Sequence, residues 1–156
     1  MNKVIPYQKL PNMINQLKLN LIVLVGGCFD ILHLGHVRFL KEAKKYGTVL
    51  VALESDKTLK QHKGHLRPIH YQRERAEVLA SLETVDYVLL LPNFTSNQDY
   101  FELVQQVKPQ IIVVTAGDPL LKVKQKQADT VGAKVVIVPK ISTPSTTQLA
   151  KLLGLE

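Results

Sequence analysis

The sequence has few of the residues that mark disulfide-rich, secreted or membrane-spanning proteins. Its 156 residues include one cysteine, Cys28, which excludes an internal disulfide and any metal cluster built from several cysteines. A lone cysteine also fits a reducing compartment. No apolar run approaches the roughly 20 residues that a helix needs to cross a membrane, and no secretory signal is apparent near the start. We therefore expect a cytoplasmic protein with no membrane-spanning segment.

Aromatic residues are also scarce, at 6% of the chain with no tryptophan. Proteins that bind single-stranded nucleic acid commonly place aromatic side chains among clustered cations, whereas the lysines and arginines here are scattered. The formal net charge is nevertheless +7, which suits an anionic ligand. A phosphorylated small molecule is therefore a better expectation than nucleic acid, and a charge that serves solubility alone is the alternative.

Strand and helix patterns alternate along the whole chain. Apolar runs without polar alternation predict five strands that are buried on both faces, at residues 20–25, 48–53, 85–91, 111–114 and 134–138. Helical spacing predicts helices at residues 7–18, 34–46, 71–82, 97–107 and 122–131, and a last helix with Thr143 as its N-cap. Residues 54–70, rich in cations, predict a long basic loop. We expect one domain, residues 1–156, built on a doubly wound, Rossmann-like parallel α/β sheet.

The most informative segment, residues 25–40, passes from a strand through a glycine turn into a helix. His33 and His36 are three residues apart, so they share a face near the predicted helix start. Helix N-termini attract anions through free N–H groups and the helix dipole, and two imidazoles there predict a phosphate site. A metal site is the less attractive alternative, because no third ligand is evident nearby.

The carboxyl ends of parallel strands meet at one edge of such a sheet, and ligands bind there. Four segments follow predicted strands: the Gly26 turn, residues 54–70, the Gly117 turn and residues 142–147. We therefore expect these segments to build one site, with room for more than one phosphorylated ligand.

Residues 27–36 read Gly-Cys-Phe-Asp-Ile-Leu-His-Leu-Gly-His and resemble the motif of the cytidylyltransferase-like nucleotidyltransferases. These enzymes join a nucleoside triphosphate to a phosphorylated acceptor and release pyrophosphate. Further segments are similar to the heptose 1-phosphate adenylyltransferases: Lys63-Gly64, Arg67-Pro68-Ile69, Arg75, Gly117-Asp118 and Ser145-Thr146-Thr147. The chain departs from that pattern at Val25-Gly26-Gly27, where the family usually has Thr-Asn-Gly. It departs again at Thr115-Ala116, where the family often has Lys-Gly.

The resemblance implies a role for each matching residue. His33 and His36 would hold phosphates and stabilise the transition state, and Lys63 would close over the β- and γ-phosphates. Arg67 and Arg75 would hold the acceptor phosphate, and Asp30 would either contact the acceptor or hold the glycine turn. The implied nucleotide-binding residues are Gly27, Cys28, Phe29, Gly35, His36, Asp118, Ser145 and Thr146. Mg²⁺ would be bound mainly through the triphosphate, with no dedicated protein ligand, and the protein would be a homodimer.

The expected reaction is therefore transfer of AMP from ATP to a phosphorylated acceptor such as heptose 1-phosphate. A glycerol-3-phosphate cytidylyltransferase is an alternative, because residues 140–147 keep the cation and the Ser-Thr-Thr of that branch. An adenylyltransferase similar to FAD synthetase is another. From a different class, the chain could be a nucleotide-binding regulator without catalytic activity.

Overall fold

A computed structural model of the chain describes residues 2–17 and 20–155. Its centre is one sheet of six parallel strands in the order β1-β4-β3-β2-β5-β6. The strands are Val4–Pro6 (β1), Ile22–Gly27 (β2), Thr48–Leu53 (β3), Tyr87–Leu90 (β4), Ile111–Thr115 (β5) and Lys134–Val138 (β6). The predicted doubly wound parallel α/β sheet is confirmed.

The predicted number of five strands is wrong, because β1 forms a sixth strand at the edge of the sheet. It has three residues and pairs with β4, with Val4 opposite Val88. A strand this short shows no periodicity, and its last residue, Pro6, is tolerated only because the strand lies at an edge.

Seven α-helices lie within the described residues, six of them between strands and the last after β6: Leu10–Leu17 (α1), Leu34–Lys44 (α2), Asp56–Lys63 (α3), Gln72–Ala80 (α4), Asn97–Val107 (α5), Leu121–Val131 (α6) and Thr146–Leu152 (α7). Among the described residues, none of these helices is long and apolar enough to cross a membrane. Residues 7–9 of the first predicted helix form a 3-10 turn, and residue 18 lies outside the described residues.

Two predictions about helices are corrected. The basic segment 54–70 is not one long loop, because α3 forms within it, with the Ser55 side chain accepting a hydrogen bond from the Thr58 N–H. Its buried residues are Thr58 and Leu59, so it lacks the apolar stripe that indicates a helix. The last helix begins after Ser145, not after Thr143.

The sheet separates two apolar layers, and successive residues of each strand point into different layers. Ile22 and Leu24 of β2 face a layer with α1, α5 and α6, whereas Val23 and Val25 face a layer with α2 and α4. The chain continues from β2 to β3 on one side, while β5 lies on the other. The switch between β2 and β5 opens a crevice at their carboxyl ends, where residues 26–28 turn towards α2.

Candidate active site

The turn after β2 is fixed by the side chain of Phe29. This residue has a φ of +46°, in the left-handed region that bulky side chains rarely adopt. Its ring is buried, and a Cβ placed on Gly27 would lie 2.8 Å from it. The same ring lies 4.9 Å from the His36 imidazole, measured between centroids. Gly27 therefore makes room for Phe29, which packs against one face of His36.

The two histidines stack at the start of α2. Their ring centroids are 3.8 Å apart and the rings are 27° from parallel. His33 is the N-cap of the helix, and its Nδ1 accepts a hydrogen bond of 3.1 Å from the Gly35 N–H. When His33 is neutral, this bond places its proton on Nε2. A Cβ on Gly35 would lie 2.8 Å from Cε1 of His33, so a residue larger than glycine would displace this ring.

Burial favours the neutral form of both imidazoles by lowering the pKa of each. Burial and, to a smaller extent, the adjacent His33 lower the pKa of His36 to about 4, against a smaller opposing effect of the Ile31 backbone. Burial also lowers the pKa of His33. Within the part of the chain that the structure describes, the buried Nδ1 of His36 has no hydrogen-bond partner. A buried polar atom without a partner costs free energy.

Asp30 of the motif is buried and faces the protein. Its carboxylate accepts hydrogen bonds from Arg67 Nε at 2.6 Å and from the N–H groups of Ile69 and His70. Burial alone would raise the pKa of Asp30, but the backbone bonds from His70 and Ile69 and the Arg67 guanidinium outweigh it and lower the pKa. Asp30 therefore ties the motif to the segment after α3, which favours the predicted alternative in which it holds the turn.

Arg75 joins the ends of β2 and β3. Its guanidinium donates to the carbonyl oxygens of Cys28, at 2.6 Å, and Glu54, at 2.9 Å, and to Asp56 Oδ1 at 2.8 Å. Its side chain is 0% exposed. The contact of Arg67 and Arg75 with an acceptor phosphate stays a prediction, and it would require these buried bonds to open.

Two cavities open at the carboxyl edge of the sheet and meet at the turn after β2. One, the histidine cavity, has a volume of about 730 Å³ and contains His33 and His36. The other, the glutamate cavity, has a volume of about 790 Å³ and contains Glu54 and Tyr100. Five residues line both cavities: Gly26, Gly27, Cys28, Val113 and Lys124.

Most of the residues predicted to bind nucleotide line the histidine cavity. They are Gly27, Cys28, Phe29, Gly35, His36, Asp118 and Ser145, and the predicted catalytic residue His33 joins them. Thr146 lies behind the wall instead, where its hydroxyl donates to the Ile31 carbonyl oxygen at 2.9 Å. That bond packs the start of α7 against the histidine motif.

Lys63 is the last residue of α3 and is exposed to solvent. It is not among the described residues that line either cavity. Its charge still acts on the site. Burial raises the pKa of the Cys28 thiol, and the positive charge of Lys63 opposes this rise. A thiol with a raised pKa is a packing group and not a nucleophile. The catalytic role of Lys63 stays a prediction.

Several charged residues of the site were not predicted. Arg38, Lys41 and Lys140 line the histidine cavity. Arg38 and Lys41 lie within the helix that was predicted at residues 34–46. Glu54 follows β3 directly, so its position at the carboxyl edge was available as a signal. The sequence does not distinguish Lys124 from Lys122 and Lys126, because the three lysines alternate along one predicted helix.

Glu54 forms the polar centre of the glutamate cavity. The Tyr100 hydroxyl donates to both carboxylate oxygens, at 2.9 and 3.0 Å. Burial raises the pKa of Glu54, while the Tyr100 hydrogen bond and the charges of His62, Arg75 and Lys124 oppose this rise. Burial and the adjacent Glu54 carboxylate raise the pKa of Tyr100 as well. Tyr100 therefore remains a donor, and the carboxylate keeps lone pairs for a ligand.

The carboxylates of the histidine cavity are both paired with lysine. Glu42 lies 2.6 Å from Lys45 Nζ, and Asp118 lies 2.6 Å from Lys124 Nζ. Within residues 2–17 and 20–155, no group of three or more His, Cys, Asp or Glu side chains is arranged to hold a metal ion.

Comparison with known proteins finds a family whose similarity to this chain includes the histidine motif and both cavities. A family model described as cytidylyltransferase-like matches residues 24–151. The bifunctional protein HldE of Nitratiruptor sp. is 43% identical over 131 residues, which cover 83% of this chain and 27% of that protein. The bifunctional protein HldE of Desulfatibacillum aliphaticivorans is 33% identical over 151 residues, covering 94% and 30%. The chain thus spans about a quarter of the length of the curated relatives it matches.

Solved structures share the fold. The lipopolysaccharide core biosynthesis protein from Thermoplasma volcanium is 30% identical, with a TM-score of 0.63 over 80% of this chain and 98% of that chain. The pantoate-beta-alanine ligase from Francisella tularensis has a TM-score of 0.69 at 17% identity, over 92% of this chain and 69% of that one. The second similarity extends to the fold alone.

Proposed function

The chain belongs to the cytidylyltransferase-like family of nucleotidyltransferases, and we propose that it transfers AMP from ATP to a phosphorylated small molecule, with heptose 1-phosphate as the favoured acceptor. The observation that carries this proposal is the pair of cavities that meet at residues 26–28. Such an enzyme must hold two phosphorylated reactants so that the attacking oxygen, the α-phosphorus and the leaving group align. The similarity to HldE proteins supports the choice of acceptor.

The histidine cavity suits the triphosphate. Arg38, Lys41 and Lys140 supply positive charge, and His33 offers its Nε2–H as a neutral donor. An oxygen of the acceptor phosphate attacks the α-phosphorus and forms the new P–O bond. The bond from the α-phosphorus to the oxygen bridging to the β-phosphorus breaks, and pyrophosphate leaves with the electron pair. No protein nucleophile takes part, so the protein acts by alignment and by stabilising the charge of the transition state.

Neutral imidazoles suit the stabilisation of phosphate charge, because each keeps one N–H donor and does not have to be protonated first. The stacking of His33 on His36 and the packing of Phe29 hold both rings before substrate arrives. Donors fixed in this way lose little free energy to reorganisation during the reaction.

Mg²⁺ would enter on the triphosphate and neutralise its charge. The cavity fits a metal held in this way, since its two carboxylates, Glu42 and Asp118, are already paired with lysines and its other charged groups are cations. The chain's own part is to bind the phosphate oxygens that the metal leaves open.

The glutamate cavity suits the rest of the acceptor. Its polar lining is mostly uncharged, and includes Gln61, Asn97, Tyr100 and Gln127 around Glu54. Amides and a carboxylate hydrogen-bond to hydroxyl groups, which a sugar offers in number. A carboxylate in the same cavity disfavours an acceptor that carries a second phosphate there.

The test is a matrix assay of pyrophosphate release that crosses ATP, CTP, GTP and UTP with heptose 1-phosphate, glycerol 3-phosphate and flavin mononucleotide. We expect the largest kcat/KM with ATP and heptose 1-phosphate. A preference for CTP with glycerol 3-phosphate would identify the chain as a glycerol-3-phosphate cytidylyltransferase. A preference for flavin mononucleotide would identify it as an adenylyltransferase similar to FAD synthetase. No release in any combination would favour the nucleotide-binding regulator. The homodimer stays a prediction, which light scattering on the purified chain tests.

A further inference from the structure

One charged residue lies at the boundary of the two cavities. Of the five described residues that line both, Gly26, Gly27, Cys28 and Val113 are uncharged, and Lys124 carries a positive charge. We propose that Lys124 is a catalytic residue that holds the acceptor phosphate between the cavities while it attacks the α-phosphorus. This inference rests on the proposed function and deepens it.

Asp118 fixes the position of the Lys124 ammonium. The distance from Nζ to Asp118 Oδ2 is 2.6 Å, and the other carboxylate oxygen accepts the Leu120 N–H at 2.8 Å. The side chains of Lys124 and Asp118 are 29% and 15% exposed. A lysine on a solvated helix face samples many rotamers, whereas this one is anchored at its tip. Its ammonium has three N–H donors, so those that do not face Asp118 remain for phosphate oxygens.

Lys124 lines both cavities, and its charge acts on groups in each of them. Asp118 lines the histidine cavity, and the charge of Lys124 also lowers the pKa of Glu54, which lines the glutamate cavity. An anion that enters the boundary therefore meets the Lys124 ammonium on the side that Asp118 leaves open, and the Glu54 carboxylate repels it from the glutamate cavity. This arrangement admits a phosphate at Lys124 and directs the uncharged part of the acceptor towards Glu54.

The boundary is also where charge builds up during the reaction. The acceptor phosphate and the α-phosphate are both anionic, and they must approach until an oxygen of one bonds to the phosphorus of the other. A cation shared by the two groups stabilises this approach more than it stabilises either group alone. Lys124 is thus placed to act on the transition state.

The test compares Lys124→Ala with Lys122→Ala, in ATP and heptose 1-phosphate with Mg²⁺. Lys122 lies on the same helix, is exposed and is absent from the described lining of both cavities, so its loss changes net charge equally. We expect Lys124→Ala to lower kcat/KM about 100-fold and Lys122→Ala to change it less than about twofold. Lys124→Gln, which removes the charge but keeps a polar side chain with N–H donors, should behave like Lys124→Ala.

A purely structural ion pair would give a different result. It predicts that Lys124→Ala and Asp118→Asn lower the melting temperature by similar amounts and leave kcat/KM within about twofold of the parent protein, and that result would overturn the inference. Our account expects Asp118→Asn to raise the KM for heptose 1-phosphate with a smaller change in kcat, because the ammonium is kept but released. If the parent protein is inactive in every combination of nucleotide and acceptor, the proposed function itself fails. An active parent with an unaffected Lys124→Ala variant overturns the role of Lys124 alone.

Discussion

The histidine cavity and the glutamate cavity share one wall, which includes Lys124, and differ in their other charged groups. The first combines neutral stacked imidazoles with Arg38, Lys41 and Lys140, whereas the second places Glu54 among mostly uncharged polar groups. Phosphates gain most from fixed cations and donors, and sugar hydroxyls gain most from amides and carboxylates. The difference shows how one sheet edge can keep two anionic reactants apart until their phosphates meet at the boundary.

The largest effect should come from the side that holds the triphosphate. We expect His36→Ala to lower kcat about 100- to 1,000-fold, because it removes a prearranged group beside the reacting phosphate. Stopped assays of pyrophosphate release measure this change. The matched control is His65→Ala, because His65 is exposed and not in the described lining of either cavity. Turnover at the parental rate in His36→Ala would remove His36 from the mechanism.

A smaller loss should follow from displacing His33 without removing it. In Gly35→Ala the new Cβ meets Cε1 of His33 at 2.8 Å, so we expect kcat/KM to fall about tenfold or more as the donor moves. Thermal melting of Gly35→Ala checks that the variant stays folded at the assay temperature.

Gly26→Ala is the control for that substitution. The nearest atom to its added Cβ is the Ala52 carbonyl oxygen at 3.9 Å, which is ordinary contact. We expect its activity to lie well above that of Gly35→Ala. If kcat/KM falls equally in the two variants, the loss in Gly35→Ala does not come from the displacement of His33.

On the other side of the boundary, Glu54→Gln should act on the acceptor alone. We expect the KM for heptose 1-phosphate to rise about tenfold, the equivalent of one hydrogen bond to a charged group, with the KM for ATP unchanged. Initial rates measured against each substrate in turn separate the two constants. Glu77→Gln, an exposed change on α4 outside the described lining of both cavities, is the control. A rise in the KM for ATP instead would exchange the roles of the cavities.

The same variant has a pH signature in stability. Burial raises the pKa of Glu54 above its ordinary 4.5, so the folded state holds this proton more tightly than the unfolded state. Its contribution to stability is complete below the unfolded pKa and is lost as pH rises through the folded pKa. The melting temperature of Glu54→Gln should therefore exceed that of the parent protein at pH 7, with a difference that shrinks as pH falls towards 4.5.

The smallest effect is expected at Lys63. Because this residue is exposed and outside the described lining of both cavities, we expect Lys63→Ala to lower kcat/KM less than Lys124→Ala does. Lys60→Ala, one turn earlier and also exposed, is the control in the same assay. A loss at Lys63 as large as that at Lys124 would show that α3 closes over the triphosphate during turnover.

Sequence reasoning predicted the elements whose ends carry sharp signals. The helix at residues 97–107 has the predicted bounds, and its start is fixed by the Asp99 carboxylate, which accepts a hydrogen bond from the Ser96 N–H. The edge strand β1 is too short to show a period, and α3 has Leu59 as its one apolar residue, so both were missed. Within the site, the contiguous motif supplied the histidine cavity. Glu54 and Tyr100 are 46 residues apart and meet only through the fold, so their pairing could not be predicted.

A crystal structure of the chain with α,β-methylene ATP and heptose 1-phosphate tests the division between the cavities most directly. We predict that the triphosphate lies in the histidine cavity, with the α-phosphorus between His36 and Lys124 and the sugar beside Glu54. A triphosphate bound in the glutamate cavity, or both ligands on the histidine side, would contradict the account.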